Sequence, residues 1–399
     1  MRYLQHLACG AVGLALCHGT AGAQNAQGGI QLSASVRALY DTNVARSSEA
    51  IAQARGLERE DVRISPSLQL RVSHPAGRHL LFVDGIAGRD FYLRNSILGR
   101  ENLQARAGIN SQWGRCRTGL EGSISRRQSD LEDIFLGPVD NAETAKAVLL
   151  SASCPRPAGL YPSARLAYRE SDNSRLQRQD ADSNTIEAEA AVNYGRPSFG
   201  EAALFVRFGE TRFPNRASGV GFAGITDDQY QVRSVGLRYS RNLGSLIRGT
   251  ASGEYTNVDR AGSQRGFGGF TYGATVQIRP LQRIRSTITA ERAVEPSRRI
   301  GLSYSVSESF RGEVAYTLSP RVEFAAGGSI RDRNYEPASP IVPLLLTREE
   351  TKVLFASMRI GLHDRLALEF DAQREKRETN GPDFGYTSSR VGMTARVNF

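Results

Sequence analysis

The chain reads as all-β: a transmembrane, antiparallel up-and-down β-barrel of about 18 strands, with sixteen to twenty tolerated. Three observations predict it. Apolar and polar residues alternate with a period of two through most of the 399 residues. Tight turns alternate with longer polar excursions between those periodic segments. After the first residues, no apolar run approaches the roughly 20 residues a spanning helix needs. A composition 40% hydrophobic and 8% aromatic, with a mean hydropathy of −0.37, suits strands that keep one wet face.

The start is different. Arg2, an apolar run from Leu7 to Leu16 and the small residues Ala21-Gly22-Ala23 have the order of a secretory signal over residues 1–23, so the exported chain is expected to begin at Gln24. A lipoprotein reading at Leu14-Ala15-Leu16-Cys17 is weakened by the large Leu16 before the cysteine. Residues 24–399 are then expected to form a single barrel domain.

The first strand carries Ile30, Leu32, Ala34, Val36, Ala38 and Tyr40 on one face and Gln31, Ser33, Ser35 and Arg37 on the other. The second alternates Val62, Ile64, Leu68, Leu70 and Val72 with Arg63, Ser65, Ser67, Gln69 and Arg71. It carries an awkward Pro66 and breaks at His74-Pro75-Ala76-Gly77. Weak strands are expected at Leu80 to Tyr92 and Gly301 to Thr317, and clear ones at Leu103 to Trp113 and Thr118 to Ser125. Tight turns recur at Gly114-Arg115, Pro155-Arg156-Pro157, Gly195-Arg196-Pro197, Asn242-Leu243-Gly244, Arg279-Pro280-Leu281, Ser319-Pro320-Arg321 and His363-Asp364-Arg365, with longer excursions such as Arg212 to Asp228 and Asn334 to Glu350 between them. Short turns at one rim and long loops at the other is the bacterial barrel layout.

The last stretch alternates Ser389, Val391, Met393, Ala395, Val397 and Phe399 with Arg390, Gly392, Thr394, Arg396 and Asn398. It resembles the closing strand of a Gram-negative outer-membrane barrel, whose assembly machinery reads a terminal aromatic; by that resemblance Phe399 doubles as an assembly signal. A soluble β-array or solenoid would show repeats of fixed period, and none occur. The apolar face is instead filled by aliphatics and by candidate girdle aromatics such as Trp113, Tyr168, Tyr194, Tyr239 and Tyr255.

Enzymatic residues are scarce. Past the signal the histidines are His74, His79 and His363, all at short turns, and they read as solvated turn residues without a nucleophile to activate. No metal-ligand spacing, phosphate-cradling loop or nucleotide site is present, so no cofactor, catalytic residue, metal or nucleic-acid partner is expected. Loop acids Asp130, Glu132, Asp133, Asp227 and Asp228 could hold calcium, although solvated loops account for them as well.

Cys116 opens one strand and Cys154 ends the next antiparallel one, both on the outward parity at the short-turn rim. Opposed residues on an antiparallel pair stand roughly 4.5 to 5.5 Å apart, within disulfide range, and the periplasm is oxidising. A Cys116–Cys154 bridge is expected; a one-residue slip would leave two thiols.

Arginine dominates the formal charge of +10: of 51 basic residues only Lys146, Lys352 and Lys376 are lysines. A GC-rich genome would give the same bias. The inward parity collects Arg37, Arg63, Arg71, Arg106, Arg117, Arg165, Arg169, Arg238, Arg248, Arg279, Arg390 and Arg396, opposed by acids such as Glu121, Glu187, Glu189, Glu254, Glu369 and Asp371. A bore of one sign selects ions and polymers of the other, while mutual ion pairing would merely stiffen the wall.

Tyr40-Asp41-Thr42-Asn43-Val44-Ala45-Arg46 resembles the YD-x-N-(V/I)-x-R signature of the β-barrel porin type 2 family, carried on Tyr40, Asp41 and Asn43. Arg331-Asp332-Arg333-Asn334-Tyr335 and the Leu318-Ser319-Pro320-Arg321 turn look like family features too. The resemblance implies an outer-membrane channel associated with exopolysaccharide export. Its partners would be outer-membrane lipid, the barrel-assembly machinery, a polysaccharide polymer and periplasmic export components. A porin for small-solute uptake is the transport alternative, and a polysaccharide-modifying enzyme the rival from another class.

Overall fold

The computed structural model describes residues 28–129, 139–215, 228–260, 266–296, 302–337, 346–381 and 384–399. The expected signal segment and the acids Asp130, Glu132, Asp133 and Asp227 lie outside them, as does the side chain of Asp228. The strands are β1 (Gly29–Asp41), β2 (Asp61–Ala76), β3 (His79–Arg89), β4 (Phe91–Tyr92), β5 (Glu101–Trp113), β6 (Cys116–Gln128), β7 (Ala142–Ser153), β8 (Gly159–Asn173) and β9 (Ser183–Arg196). They continue as β10 (Gly200–Phe213), β11 (Asp228–Leu243), β12 (Ile247–Arg260), β13 (Phe267–Leu281), β14 (Ile284–Pro296), β15 (Leu302–Ser319), β16 (Val322–Pro337), β17 (Arg348–Gly361), β18 (Leu366–Thr379) and β19 (Tyr386–Asn398).

All pairings are antiparallel and follow chain order, and β1 closes the sheet on β19, from Ser33 opposite Asn398 to Asp41 opposite Arg390. Both β3 and the two-residue β4 pair with β2, so they form one stave. Nineteen segments thus give the eighteen staves expected, closed so that no edge is left to bond. The stave breaks at Asp90, whose carboxylate accepts Ser65 Oγ and whose amide donates to Arg100 O instead of to the ladder. Strand ends run further than the sequence suggested: Pro75 and Ala76 still pair in β2, and β10 and β11 extend to Phe213 and back to Asp228.

Large apolar side chains point out and stay uncovered, with Leu237 at 64% and Leu354 at 67% exposure. For a monomer in water that would be an extensive apolar surface; against hydrocarbon it is the apolar band of a barrel. Trp113, Tyr194 and Tyr239 lie at the short-turn end of this face, while Tyr40, Tyr168 and Tyr255 lie toward the long-loop end. These are the two aromatic girdles.

On the inner wall, Phe82, Phe205 and Phe355 stand directly opposite Gly108, Gly236 and Gly327. A Cβ at Gly327 would meet Gly312 O at 2.3 Å and the Phe355 ring at 2.6 Å, so glycine is required for this packing. The three buried apolar clusters of the described residues, around Ala52 and Leu98, around Val258 and Tyr304, and around Tyr335 and Leu346, all lie at the long-loop rim. The connection between β1 and β2 is packed there, with Val44, Ala45, Ala52 and Leu57 against Leu98 and Val139.

Candidate functional site

The Tyr40–Arg46 motif closes the barrel seam. Asp41 ends β1, and its carboxylate accepts Arg46 Nη2 at 2.6 Å, the Asn43 amide at 2.8 Å and Ser388 Oγ of β19 at 2.8 Å. Arg46 also donates to Ser388 Oγ at 2.7 Å, and Asn43 Nδ2 donates to Ser47 O at 2.9 Å and Thr387 O at 3.3 Å. Burial pulls the Arg46 guanidinium down, and the Asp41 carboxylate more than offsets this, holding it above its ordinary value. Arg46 takes φ 50°, a left-handed conformation that its contacts to both strands retain. Arg390, opposite Asp41, reaches Glu375, which also accepts the Tyr386 hydroxyl. The motif residues therefore act on closure, with Tyr40 itself outward and donating to Glu60.

All twelve candidate arginines fall on the inward parity, and the structure divides them. Six are ion-paired: Arg37 with Asp371 at 2.7 Å, Arg63 with Asp90 at 3.6 Å, Arg71 and Arg106 with Asp84 at 3.1 and 3.3 Å, Arg238 with Glu189 at 3.0 Å, and Arg390 with Glu375. Arg238 is nearly buried, stacked 4.7 Å over Phe205. As an open selectivity group it is corrected: its charge is spent on the wall, together with Arg207 and Glu189. Arg248 donates to Asn242 Oδ1 at 3.0 Å, and Arg169 is engaged by a partner as well. Among the described residues Arg117, Arg165, Arg279 and Arg396 make no ion pair, and three of them, Arg117, Arg279 and Arg396, lie near the short-turn mouth.

That mouth is more basic than the inward parity alone suggested. Each of the eight short connections carries an arginine in the turn or within two residues of it: Arg78, Arg115, Arg156, Arg196, Arg241, Arg283, Arg321 and Arg365. Against them stand Asp364, 4.0 Å from Arg321, and Glu201 and Glu323 at the starts of β10 and β16. The signal was in the sequence, one arginine per turn, but it emerges only when the turns are placed on one ring. His79 departs from its expected role as a solvated turn residue: it starts β3, shares a hydrogen bond with Ser111 Oγ at 2.7 Å and packs edge-on against Trp113.

Cys116 and Cys154 are joined at this same rim, one position beyond the Arg117–Ser153 pair. Denatured, unreduced protein is expected to show no titratable thiol among them, and Cys116→Ser to lower the urea resistance of the barrel by about 2–4 kcal/mol; two thiols in that titration would remove the bridge.

At the other mouth the connection between β1 and β2 folds inward, its Ala52 and Leu57 packed with Leu98. Its short helix α1 (Glu49–Ala54), capped by Ser48, buries Ile51 and Ala52, and Arg55 follows, donating to Ala45 O at 2.8 Å. Burial, then the positive charges of Arg178 and Arg377, push the Arg55 guanidinium down to about 10. Arg178 belongs to the connection between β8 and β9, and Arg377 to β18, which stand on opposite sides of the ring of staves. Arg55 feels both, so the connections after β1 and after β8 fold inward toward one another, with Arg377 itself paired to Glu349. Sequence periodicity could not find this trio, because none of the three is close to another along the chain.

A closed, eighteen-stave barrel with a lipid-ready flank, a charged inner wall and an inward-folded mouth is a porin-like outer-membrane channel. A family model described as "Putative beta-barrel porin 2" matches residues 163–399, more than half of the sequence, and the chain belongs to that family. Among curated proteins, none matches the chain in sequence. Similar solved structures include OccK2 (OpdF) of Pseudomonas aeruginosa, at 13% identity over 93% of this chain and 98% of that one with a TM-score of 0.49. OccAB3 of Acinetobacter baumannii has 10% identity over 93% and 99% with a TM-score of 0.46. The siderophore receptor PirA of Acinetobacter baumannii has 8% identity over 92% and 80% with a TM-score of 0.49.

Proposed function

We propose that this porin-like barrel is a selective passage for small anionic solutes. The observation that carries the reading is the inward-folded connection between β1 and β2, which brings Arg55 within electrostatic reach of Arg178 and of the Glu349-paired Arg377 at the long-loop mouth. A mouth with inward-folded, cation-bearing connections favours compact anions over bulky or positive solutes. Six of the twelve wall arginines are spent in ion pairs, so selectivity is assigned to the inward-folded mouth and not to the twelve as a set. In planar bilayers under a salt gradient the reversal potential is expected to report anion preference. Arg55→Gln with Arg178→Gln should move the permeability ratio toward unity. A cation-preferring wild type would refute the reading.

A second reading, export of an anionic exopolysaccharide delivered by periplasmic components, is supported by the arginine-rich short-turn mouth. A positive rim raises the local concentration of a polyanion arriving from the periplasm. Vesicle efflux assays separate the two: passage of acidic oligosaccharides, and not only of single sugar acids, would favour export.

A further inference from the structure

The outer flank carries a basic notch that neither passage nor closure uses. On β5 the outward positions run from Trp113 up to Leu103, ten residues. At about 3.3 Å per residue and a tilt near 45°, they climb about 23 Å, close to the height of the apolar band. Just above that band, on the same outward face, Arg89 pairs across to Glu101, and Arg126 pairs across to Leu103. Arg89, Glu101 and Arg126, with Gly99, Arg100 and Ala142, line a cleft of about 210 Å³.

The charges there are unbalanced. Arg100 Nη1 donates to Gly99 O at 2.7 Å and Nη2 to Asp140 O at 2.8 Å, and Arg175 pairs with the Asp140 carboxylate, which lies 3.9 Å from Arg100. Three guanidinium groups, of Arg89, Arg100 and Arg126, thus line the cleft with one carboxylate, Glu101, while Arg175 and Asp140 pair beside it. Burial and then the positive charges of Arg175, Arg126 and Arg89 hold the Arg100 guanidinium below its ordinary value. Arg89 stacks 5.4 Å over the Phe91 ring, and Phe91, with Leu93 and Ile97 of the segment leading to Gly99, is exposed. Cations at the top of an apolar band, flanked by exposed hydrophobic side chains, match an amphiphile whose acyl chains lie along the flank and whose anionic head sits above them.

We propose that this notch binds a phosphate group of an outer-leaflet glycolipid. A phosphomonoester supplies the dianion that the excess of guanidinium groups lacks, and arginine forks hold phosphate in bidentate geometry. A soluble anion offers the same phosphate but no acyl chains, so the position on the lipid flank favours the lipid.

The test titrates the folded, detergent-solubilised barrel with diphosphoryl lipid A, with phosphatidylcholine and with inorganic phosphate, counting bound molecules by native mass spectrometry. Lipid A is expected to bind at least about tenfold more tightly than phosphatidylcholine, and Arg89→Gln with Arg126→Gln to remove that margin. Arg321→Gln, on the opposite rim, should leave it intact. Heat-dependent gel mobility verifies that each variant is folded, and the single variant Arg126→Gln, with a several-fold loss expected, serves if the double variant is not. Unchanged lipid A binding in a folded variant overturns the proposal. So does a site that takes inorganic phosphate but shows no preference for lipid A.

Discussion

Asp41→Ala is expected to destabilise the folded barrel by about 3–5 kcal/mol, the usual cost of removing one partner from a buried ion pair. The loss exceeds one bond because Asp41 is the common acceptor for Arg46, the Asn43 amide and Ser388. Without it the Arg46 guanidinium stays beside β19, and Arg390 loses a carboxylate 3.8 Å away. Both sit at the one seam that local hairpin contacts cannot close. Urea unfolding in detergent, followed by loss of heat-dependent gel mobility, measures the change. Ser388→Ala, which leaves the Asp41–Arg46 pair standing, should cost about 1 kcal/mol. Equal effects of the two substitutions would show that the carboxylate does not organise the seam.

The second large effect is expected at Glu349. Its carboxylate pairs with Arg377 and lies 3.2 Å from Arg333, which in turn reaches past β15 to Glu295 of β14 at 3.3 Å, so the charges alternate from β18 through β17 and β16 to β14. The Glu349 and Arg377 side chains are each 1% exposed. Glu349→Ala should cost about 3–5 kcal/mol by leaving Arg377 uncompensated. Adding Arg377→Met should recover a substantial part, because the apolar pair no longer carries a stranded charge. Additive losses in that double-mutant cycle would contradict the coupling. A shift in ion selectivity is expected as well, since removing Glu349 uncovers the Arg377 charge beside Arg55.

Fold class, stave number and facing were legible because a barrel repeats one rule: each residue meets either lipid or water, and the period of two records which. Hence Arg37, Arg71 and Arg390 fall on the inward parity expected of them, and Cys116 and Cys154 lie within bonding reach. The division among the arginines was not legible. Arg37 reaches Asp371 and Arg390 reaches Glu375 across staves whose register only the closed ring defines.

By itself, then, the sequence determined a tube with an apolar flank and a charged interior, through side-chain alternation and turn spacing, which are local properties. Tertiary structure alone decided which charges cancel, and that the motif around Asp41 is a clasp at the seam. It also brought Arg55, Arg178 and Arg377 together at the mouth. The reason is distance: electrostatics and packing act through space, and closing the barrel makes neighbours of residues hundreds of positions apart, such as Asp41 and Ser388.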